Sequence, residues 1–447
     1  MSSATGSEDL PFHLQGNYAP VTAEVTATDL PVEGTIPPEL AGAYYRNGPN
    51  PRSGESPHWF LGDGMVHGVH LEHGAARWYR NRYVQTRYLT EGEDEVIFVD
   101  EQGRVDHTAA KANTNIVGHA GKLLALVENA FPTQLTRELD TVGLHDFGGR
   151  LTTAMTAHPK LCPTSGEMHF FGYGFAPPFL TYHVADADGE LVKSVEIPVP
   201  GPTMVHDFAI TERHAIFMDL PVVFSGERLL EGGMPYAWSD DYGARLGVMP
   251  RGGSAEELVW FEIEPCYVFH PMNAFSDGSR VVLDVARYPE LWRDSAADFR
   301  TASLHRFTLD LTAGAVKEEG LDDRGIEFPR IDPRVEGLAH RFGYAVRFAS
   351  AVDGPALQSL VQYDLSGGGV REHDFGPGRA PGEAVFVPAS DAAAEDEGWV
   401  LTLVYDRGRN ASELAILDAS RFDAPPVAMV KLPQRVPFGF HGNWVPC

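Results

Sequence analysis

Short runs rich in β-branched and aromatic residues recur along the whole chain and end at turn-forming residues. Clear examples are AIFMDLPVVF (215–224), RVVLDVARY (280–288), YAVRFAS (344–350) and WVLTLVYD (399–406). Such runs, about 5–9 residues long and bounded by Gly, Pro, Asn or Asp, are typical of β-strands. Turn signals between the runs are Asp-Gly at 188–189 and 277–278 and Asp-Pro-Arg at 332–334. The pattern predicts an all-β protein.

Helical periodicity is rare, and it suggests short helices only around Glu39 and over residues 288–299. Strand-like segments that end on Leu-Asp-like dipeptides return about every 50 residues, at 180–189, 304–311, 360–365 and 414–419. This period predicts four-stranded propeller blades, and the spacing alone leaves an all-β sandwich, or a tandem of sandwiches, as the alternative. No linker or low-complexity break divides the chain, so we expect one domain over residues 1–447.

Composition and charge restrict the partners and the compartment. The chain has 35 Lys and Arg against 62 Asp and Glu, a formal net charge of −27, so no nucleic-acid partner is expected. Three cysteines without a CxxC motif suit a reducing compartment. The chain starts without a secretory pattern and contains no run of about 18 apolar residues. We therefore expect a cytoplasmic protein.

Four of the 18 histidines share a sequence context: each ends or interrupts an apolar run and precedes a residue that bends the chain. They are His158, His206, His270 and His441. Their intervals of 48, 64 and 171 residues exclude a common helix or hairpin, but inner strands of different propeller blades would bring them together at the axis. Four imidazoles suit Fe, Zn, Cu or Ni and disfavour Mg and Ca. His67 and His70 are interpreted as structural.

A series of motifs in fixed order then resembles the carotenoid cleavage oxygenase family of non-haem iron(II) enzymes. The motifs are GTIPPELAGAYYRNGPNP (34–51), HWFLGDGMVHGVHL (58–71), ANTNIVGHAGKLLALVE (112–128), TAHPK (156–160), HDFAIT (206–211), FHPMNAF (269–275), EFPRID (327–332), GEAVFVP (382–388) and FGFHGNWVP (438–446). The resemblance covers almost the entire chain. It implies a seven-bladed β-propeller with short helices and loops forming a cap over the iron site.

The resemblance also assigns roles to residues of this chain. The Fe(II) ligands fall on the four histidines His158, His206, His270 and His441. Outer carboxylates fall on Glu128, Glu327 and Glu383, each accepting the other N–H of a histidine. Four neutral imidazoles leave the metal its 2+ charge, so three glutamates bring the site to about −1. Thr114 matches a position beside an open coordination site, where it would restrict what binds trans to a histidine; a turn or strand threonine is the alternative.

The expected substrate tunnel contains one departure from the family. Val127 replaces the Trp of many carotenoid-directed members and the Lys that lignostilbene-cleaving relatives use to bind a phenolic hydroxyl. This loss disfavours a phenolate-anchored stilbene without excluding stilbenoids. Phe60 is expected to form a tunnel wall, with core packing as the alternative.

The predicted function is an iron(II) dioxygenase that cleaves a carbon–carbon double bond of an apocarotenoid or carotenoid, with O2 as co-substrate, into two carbonyl products. A stilbene- or phenylpropanoid-type alkene-cleaving dioxygenase is the alternative within the family. A metal-dependent hydrolase propeller, which would use Asp, Asn and Glu ligands, and a non-catalytic binding propeller are alternatives of other classes. The sequence does not indicate the oligomeric state.

Contact with a membrane surface is a further expectation from the resemblance, because an apolar patch around the tunnel of relatives touches lipid. Segment 220–238 combines apolar residues with loop formers. An ordinary blade insertion is the alternative, and the net charge of −27 opposes contact with anionic headgroups.

Overall fold

The strand and turn signals of the sequence produce short antiparallel strands joined by tight turns. The computed structural model describes residues 10–92, 105–230, 234–296, 300–349 and 355–447. Strands Tyr267–Asp277 and Arg280–Tyr288 are joined by a two-residue turn in which Gly278 has φ +61°, a conformation that favours glycine. The Asp-Gly turns are confirmed. Asp-Pro-Arg instead starts the 3-10 helix Pro333–Val335, where Asp332 accepts a hydrogen bond from the Arg334 N–H.

The described strands form seven antiparallel blade sheets and one separate two-stranded ribbon, and five of the blades each use one continuous stretch of chain, with the ribbon inserted in blade 3. Blade 1 consists of Asn115–His119, Lys122–Leu126, Thr133–Leu135 and Thr141–Leu144. Blade 2 consists of Lys160–Leu161, Met168–Tyr173, Leu180–Ala185 and Leu191–Glu196. Blade 3 consists of Ala209–Ile210, His214–Asp219, Arg245–Pro250 and Val259–Glu262. Blade 4 consists of Tyr267–Asp277, Arg280–Tyr288, Ser303–Asp310 and Ala315–Asp322. Blade 5 consists of Ile326–Arg330, Phe342–Ala349, Ala356–Asp364 and Gly369–His373.

The last two blades combine strands from both ends of the chain. Blade 6 consists of Val32–Gly34, Arg379–Pro381, Val385–Pro388, Gly398–Asp406, Ala411–Asp418 and Ala428–Lys431. Blade 7 consists of Thr26–Ala27, Gly42–Pro49, Gly64–Glu72, Ala75–Tyr83 and Gly442–Pro446. In blade 7 the last strand, Gly442–Pro446, pairs antiparallel with Gly42–Pro49. This pairing closes a ring of seven blades, so the predicted seven-bladed propeller is confirmed.

Short helices and a two-stranded ribbon supplement the blades. The α-helices are Arg87–Glu91 and Gly226–Leu230, the 3-10 helices are Phe12–Leu14, Trp59–Leu61, Ala255–Glu257, Pro333–Val335 and Ala419–Arg421, and the ribbon pairs Val222–Phe224 with Tyr236–Trp238. Within the described residues, no helix has the length and apolar character needed to span a membrane.

Both helices expected from local periodicity are wrong. The stretch after Glu39 forms the fully buried strand Gly42–Pro49, whose aromatic residues favour an extended backbone. The described part of 288–299 contains no helix. There Leu291 and Trp292 are buried as an amphipathic helix would bury them, but Trp292 has φ +54°, which a helix cannot accommodate.

The hydrophobic core lies between adjacent blades. One cluster packs Phe171 and Tyr182 of blade 2 against Phe217 of blade 3, and another packs Tyr79 of blade 7 against Leu414 of blade 6. Because every blade is held by its neighbours, the seven innermost strands surround a common axis. Residues on these strands can therefore meet at one point although they are far apart in sequence.

Candidate metal centre

Each blade contributes one predicted site residue, which lies on its innermost strand or in the segment just before that strand. In blade order these residues are Thr114, His158, His206, His270, Glu327, Glu383 and His441. Glu128 follows the second strand of blade 1. The ring architecture thus brings together residues that no local motif could connect.

The four histidines lie within contact distance of one another. One nitrogen from each of His158, His206, His270 and His441 lies within 4.8 Å of the others, and all four residues are buried. The ring centroid of His158 lies 4.5 Å from that of His206, 5.0 Å from that of His270 and 4.5 Å from that of His441. Four rings from four blades therefore surround one small space.

The unsatisfied nitrogens in this space fit a divalent cation. Nε2 of His158 is buried and has no hydrogen-bond partner in the described structure. Nε2 of His206 lies 3.2 Å from Nε2 of His270, although two neutral imidazoles with their protons on Nδ1 could not form a hydrogen bond there. A metal ion bound by these nitrogens would satisfy them, and a set of four imidazoles suits Fe, Zn, Cu or Ni.

Three carboxylates hold the opposite nitrogens of three rings. Nδ1 of His206 lies 2.6 Å from Oε1 of Glu128, and Nδ1 of His270 lies 2.6 Å from Oε2 of Glu327. Nδ1 of His441 lies 2.9 Å from Oε1 of Glu383. An N–H donated from Nδ1 leaves Nε2 as the lone-pair nitrogen and sets the orientation of the ring.

The electrostatics maintain this arrangement. Burial opposes ionisation of Glu383, but Arg330, His441 and the Gly442 N–H outweigh burial and lower its pKa to about 2. Burial likewise opposes ionisation of Glu128 and Glu327, and their histidine partners lower the pKa of each. All three carboxylates are therefore ionised at neutral pH.

The histidines differ in their protonation behaviour. Burial lowers the pKa of His441 to about 4, and burial with three neighbouring imidazoles holds the pKa of His158 well below its ordinary value. The pKa of His270 is raised, because Glu327 and further carboxylates outweigh burial. Neutral rings are the form that binds a metal.

His158 has a different outer partner from the other three. Its Nδ1 lies 3.7 Å from Oδ2 of Asp207, beyond hydrogen-bond distance, and Asp207 is held by Nζ of Lys160 at 3.0 Å. Asp207 also accepts a hydrogen bond from the Phe208 N–H at 2.6 Å. No sequence motif predicts the ion pair between Lys160 and Asp207, although the motif TAHPK contains both His158 and Lys160.

Sequence reasoning also missed two tyrosines that support the carboxylates. The hydroxyl of Tyr173 donates to Oε2 of Glu128 at 2.6 Å, and that of Tyr288 donates to Oε1 of Glu327 at 2.8 Å. Burial and the adjacent carboxylate raise the pKa of both phenols well above 10, so they remain donors. Tyr288 ends the predicted strand 280–288 and Tyr173 ends the strand Met168–Tyr173, and no motif distinguishes either from a core residue.

An apolar cavity of about 170 Å³ lies on one side of the histidines. It is lined mainly by aromatic side chains, among them Trp59, Phe60, Phe269, Phe328 and Phe440, together with Thr114 and Val127. His206, His270 and His441 form part of its wall. Within the described residues, no Lys or Arg lines this cavity.

A polar cavity of about 930 Å³ lies on another side of the same cluster. His158, His270 and His441 line it together with Lys160, Asp207, Arg330 and Glu336. The histidine cluster therefore separates an apolar compartment from a charged one.

Comparison with known proteins identifies the family. A family model described as RPE65, retinal pigment epithelial membrane protein, matches residues 18–446. A carotenoid cleavage oxygenase of Mycobacterium tuberculosis is 41% identical to the chain over an alignment that covers 100% of both proteins. The chain belongs to the carotenoid cleavage oxygenase family. A carotenoid 9,10(9',10')-cleavage dioxygenase of Crocus sativus is 35% identical, with 97% of this chain and 89% of the relative covered.

A solved structure supports the same assignment. The crystal structure of lignostilbene dioxygenase from Pseudomonas brassicacearum is similar to this oxygenase with a TM-score of 0.89 and 31% identity, covering 98% of this chain and 99% of the other. Carotenoid cleavage oxygenases are non-haem iron enzymes that incorporate O2, and the four-imidazole cluster fits that cofactor. A hydrolase propeller with oxygen ligands and a non-catalytic binding propeller are thus both excluded.

Proposed function

We propose that this oxygenase cleaves a carbon–carbon double bond of a conjugated apolar substrate, an apocarotenoid or carotenoid, into two carbonyl products. The observation that carries the proposal is that an aromatic-lined cavity shares its wall with three histidines of the cluster. An alkene bound in this cavity would lie beside the metal position. Relatives named as carotenoid cleavage enzymes support the same substrate class.

In this proposal His158, His206, His270 and His441 hold the iron. Bound there, Fe(II) supplies the activation of O2. Both oxygen atoms enter the products, and the two alkene carbons supply all four electrons, so no external reductant is required. No acid or base need be assigned to the protein.

The other site residues position groups and exclude water. Glu128, Glu327 and Glu383 hold three imidazole rings by their Nδ1 protons. Thr114 is buried, lines the cavity, and donates from Oγ1 to Oδ1 of Asn113 at 3.0 Å. Thr114 belongs to blade 1, which lies between blade 7 with His441 and blade 2 with His158. This position supports a role in restricting access to one coordination position of the iron. The apolar wall excludes water and orients the substrate.

The cavity favours a polyene over an ionised phenol. Val127 lines it, and the described lining contains no cation to pair with a phenolate. Burying an unpaired phenolate would cost several kcal/mol. A polyene gains about 25 cal/mol per Å² of apolar surface buried and needs no anchor.

A stilbene- or phenylpropanoid-type alkene is the second candidate. It is favoured by the likeness to lignostilbene dioxygenase and by an isoeugenol monooxygenase of Pseudomonas nitroreducens that is 32% identical over 97% of this chain. A neutral phenol could bind beside Tyr236, whose ring also lines the cavity.

The test is metal analysis combined with turnover. The wild-type protein should contain one Fe per chain, and replacing any of the four histidines with Ala should abolish iron retention or turnover. His305→Ala, a half-buried histidine of blade 4, is the control and should retain both. Stoichiometric Zn in a fully active enzyme would contradict the proposal.

We also propose a cytoplasmic protein that touches membranes peripherally near segment 220–238. Leu230, at the end of helix Gly226–Leu230, is 89% exposed, and an apolar substrate would partition into lipid. Flotation with uncharged vesicles should capture the wild type but less of Leu230→Ser; equal capture would contradict the contact.

A further inference from the structure

Two residues of one strand, Ile326–Arg330, reach the metal centre although they are three positions apart. Side chains alternate between the two faces of a regular strand, so positions 327 and 330 would point to opposite sides. Here Phe328 has φ +53°, and the pairing with the neighbouring strand shifts register between Glu327 and Arg330. A bulky residue with positive φ is an outlier that the surrounding structure must maintain. It allows Glu327 to bind His270 while Arg330 reaches Glu383.

Arg330 is fixed by two partners. Its Nη1 lies 3.3 Å from Oε1 of Glu383, the same oxygen that accepts the Nδ1 proton of His441. Its Nη2 donates to Oδ1 of Asn443 at 2.6 Å. Asn443 in turn donates to the Ile116 carbonyl at 2.9 Å, which fixes the orientation of its amide. The guanidinium is therefore held in place beside the carboxylate.

The other two glutamates have neutral second partners. Glu128 accepts from the Tyr173 hydroxyl, and Glu327 accepts from the Tyr288 hydroxyl. In the described part of the chain, neither forms an ion pair with Arg or Lys. The three carboxylates carry the same charge but differ in how it is balanced, because among them only Glu383 is paired with a permanent cation.

Other charges near the centre do not replace Arg330. Lys160 is paired with Asp207, so these two charges balance each other. Arg46 is buried, but its Nη1 donates to the Pro437 carbonyl at 2.6 Å. With Fe(II) bound, the three glutamates and Arg330 would give a total near zero.

We propose that Arg330 is a positioning residue that acts through Glu383 to hold the iron in its ferrous state. The proposal rests on the proposed function, because it requires iron at the four histidines. A fixed cation in a site of low dielectric disfavours the additional charge of Fe(III) more than that of Fe(II). Groups that contact metal ligands from outside, and the charge around them, are established means of setting a metal's potential. Arg330 also keeps Glu383 aligned with His441.

The test is a redox titration of iron-loaded protein, followed by the ferric electron paramagnetic resonance signal. Arg330→Met keeps the side-chain bulk but removes the charge. Arg330→Lys keeps the positive charge but replaces the planar guanidinium, which donates to two partners, with an ammonium group. At a fixed potential, the ferric-to-ferrous ratio should rise about tenfold in Arg330→Met, which corresponds to about 59 mV for one electron. Arg330→Lys should lie close to the wild type.

Arg245→Met is the matched control. Arg245 binds the buried Asp219 at 2.8 Å in blade 3, so the control also breaks an ion pair with a buried carboxylate. It should leave the ferric-to-ferrous ratio unchanged. If Arg330→Met does not fold, Arg330→Gln replaces it, with the same expected direction.

An unchanged ratio in iron-loaded Arg330→Met or Arg330→Gln would overturn the inference, and so would a lysine variant that behaves like the methionine variant. Failure of the underlying function is distinguishable, because the wild-type protein would then bind no iron at the histidines.

Discussion

Glu128, Glu327 and Glu383 each accept a hydrogen bond from an imidazole through one carboxylate oxygen. The second carboxylate oxygen binds a different group in each of the three residues. A glutamine can still accept the Nδ1 proton through its carbonyl oxygen, but its NH2 group then faces the second partner. At Glu128 that partner is the Tyr173 hydroxyl, which can rotate to accept. At Glu383 the second oxygen, Oε2, accepts from the Gly442 N–H, which can only donate, whereas Arg330 contacts Oε1, the oxygen that His441 also contacts. The local chemistry therefore ranks the three sites.

We expect each Glu→Gln variant to lower iron affinity or kcat/KM by about 10–100-fold, with Glu128→Gln the mildest and Glu383→Gln the most severe. Iron content and steady-state kinetics would measure this order. Glu372→Gln, which alters an acid bonded to Ser359, should behave as the wild type. Wild-type turnover in all three variants would mean that these acids are merely structural.

The buried histidine His183 predicts a pH dependence of stability. Its ring bonds the hydroxyls of Thr153 and Ser194, and burial lowers its pKa from 6.5 to about 4. Between pH 6.5 and pH 4 the unfolded chain binds the proton more readily than the folded chain, so the free energy of unfolding decreases as pH falls through this window.

Melting temperatures from pH 7 to pH 4 should therefore fall less steeply for His183→Gln than for the wild type. His73→Gln, which changes an exposed histidine, should retain the wild-type slope. Parallel curves for all three proteins would show that His183 does not contribute to the loss of stability in acid.

Among the structural elements, the closing strand Gly442–Pro446 has two tasks. It pairs with Gly42–Pro49 to complete the ring, and it directly follows the predicted ligand His441. A Cβ on Gly442 would meet the Tyr45 carbonyl oxygen at 2.6 Å and the Tyr44 hydroxyl at 2.9 Å. Substitution here would push the strand away from its partner.

We expect Gly442→Ala to destabilise the fold by about 1–3 kcal/mol and to weaken iron retention, because the Gly442 N–H also binds Glu383. Gly118→Ala is the matched control on another inner strand: its Cβ would meet only Val445 side-chain atoms, at 3.4 Å or more, and a carbonyl oxygen at 4.0 Å. Equal melting temperatures and iron contents for both variants would contradict this account of the closing strand.

Elements defined by local signals were predictable, and those defined by contacts were not. The strand at 280–288 and its Asp-Gly turn follow from β-branched residues and glycine. The helix expected at 288–299 is wrong because Trp292 is buried through tertiary packing in a left-handed conformation. Local periodicity cannot distinguish these two ways of burying an apolar side chain.

At the metal centre, too, the residues in local motifs were predictable and the contacts between distant residues were not. His158, His206, His270 and His441 stand in recognisable motifs, and the ring brings them together. Arg330 lies inside EFPRID, but its contact with Glu383 depends on the left-handed backbone of Phe328 and on a neighbouring blade. The roles of the site residues, and a single domain over residues 1–447, stay predictions.

At the scale of the whole molecule, the histidine cluster lies between an apolar cavity and a polar one. In the proposed function the polyene binds on the apolar side, where aromatic residues and three of the histidines line the wall. The proposed substrate preference therefore depends on the character of that cavity, which Val127 lines with an uncharged side chain.

Val127→Lys should shift the ratio of kcat/KM values toward 4-hydroxystilbene and away from an apocarotenal, because a buried ammonium can pair with a phenolate but disfavours a polyene. Val127→Met, which enlarges the side chain without charge, separates the effect of charge from that of volume. A wild-type preference for the hydroxystilbene would overturn the polyene assignment and leave the iron site unaffected.

The most direct test of the central claim is mass spectrometry of the products formed by the iron-loaded enzyme from an apocarotenal under isotopically labelled O2. We predict two carbonyl products per substrate, each with one labelled oxygen, and no products from His270→Ala. Absence of carbonyl products from every polyene and stilbene tested, or equal cleavage by His270→Ala, would contradict the account.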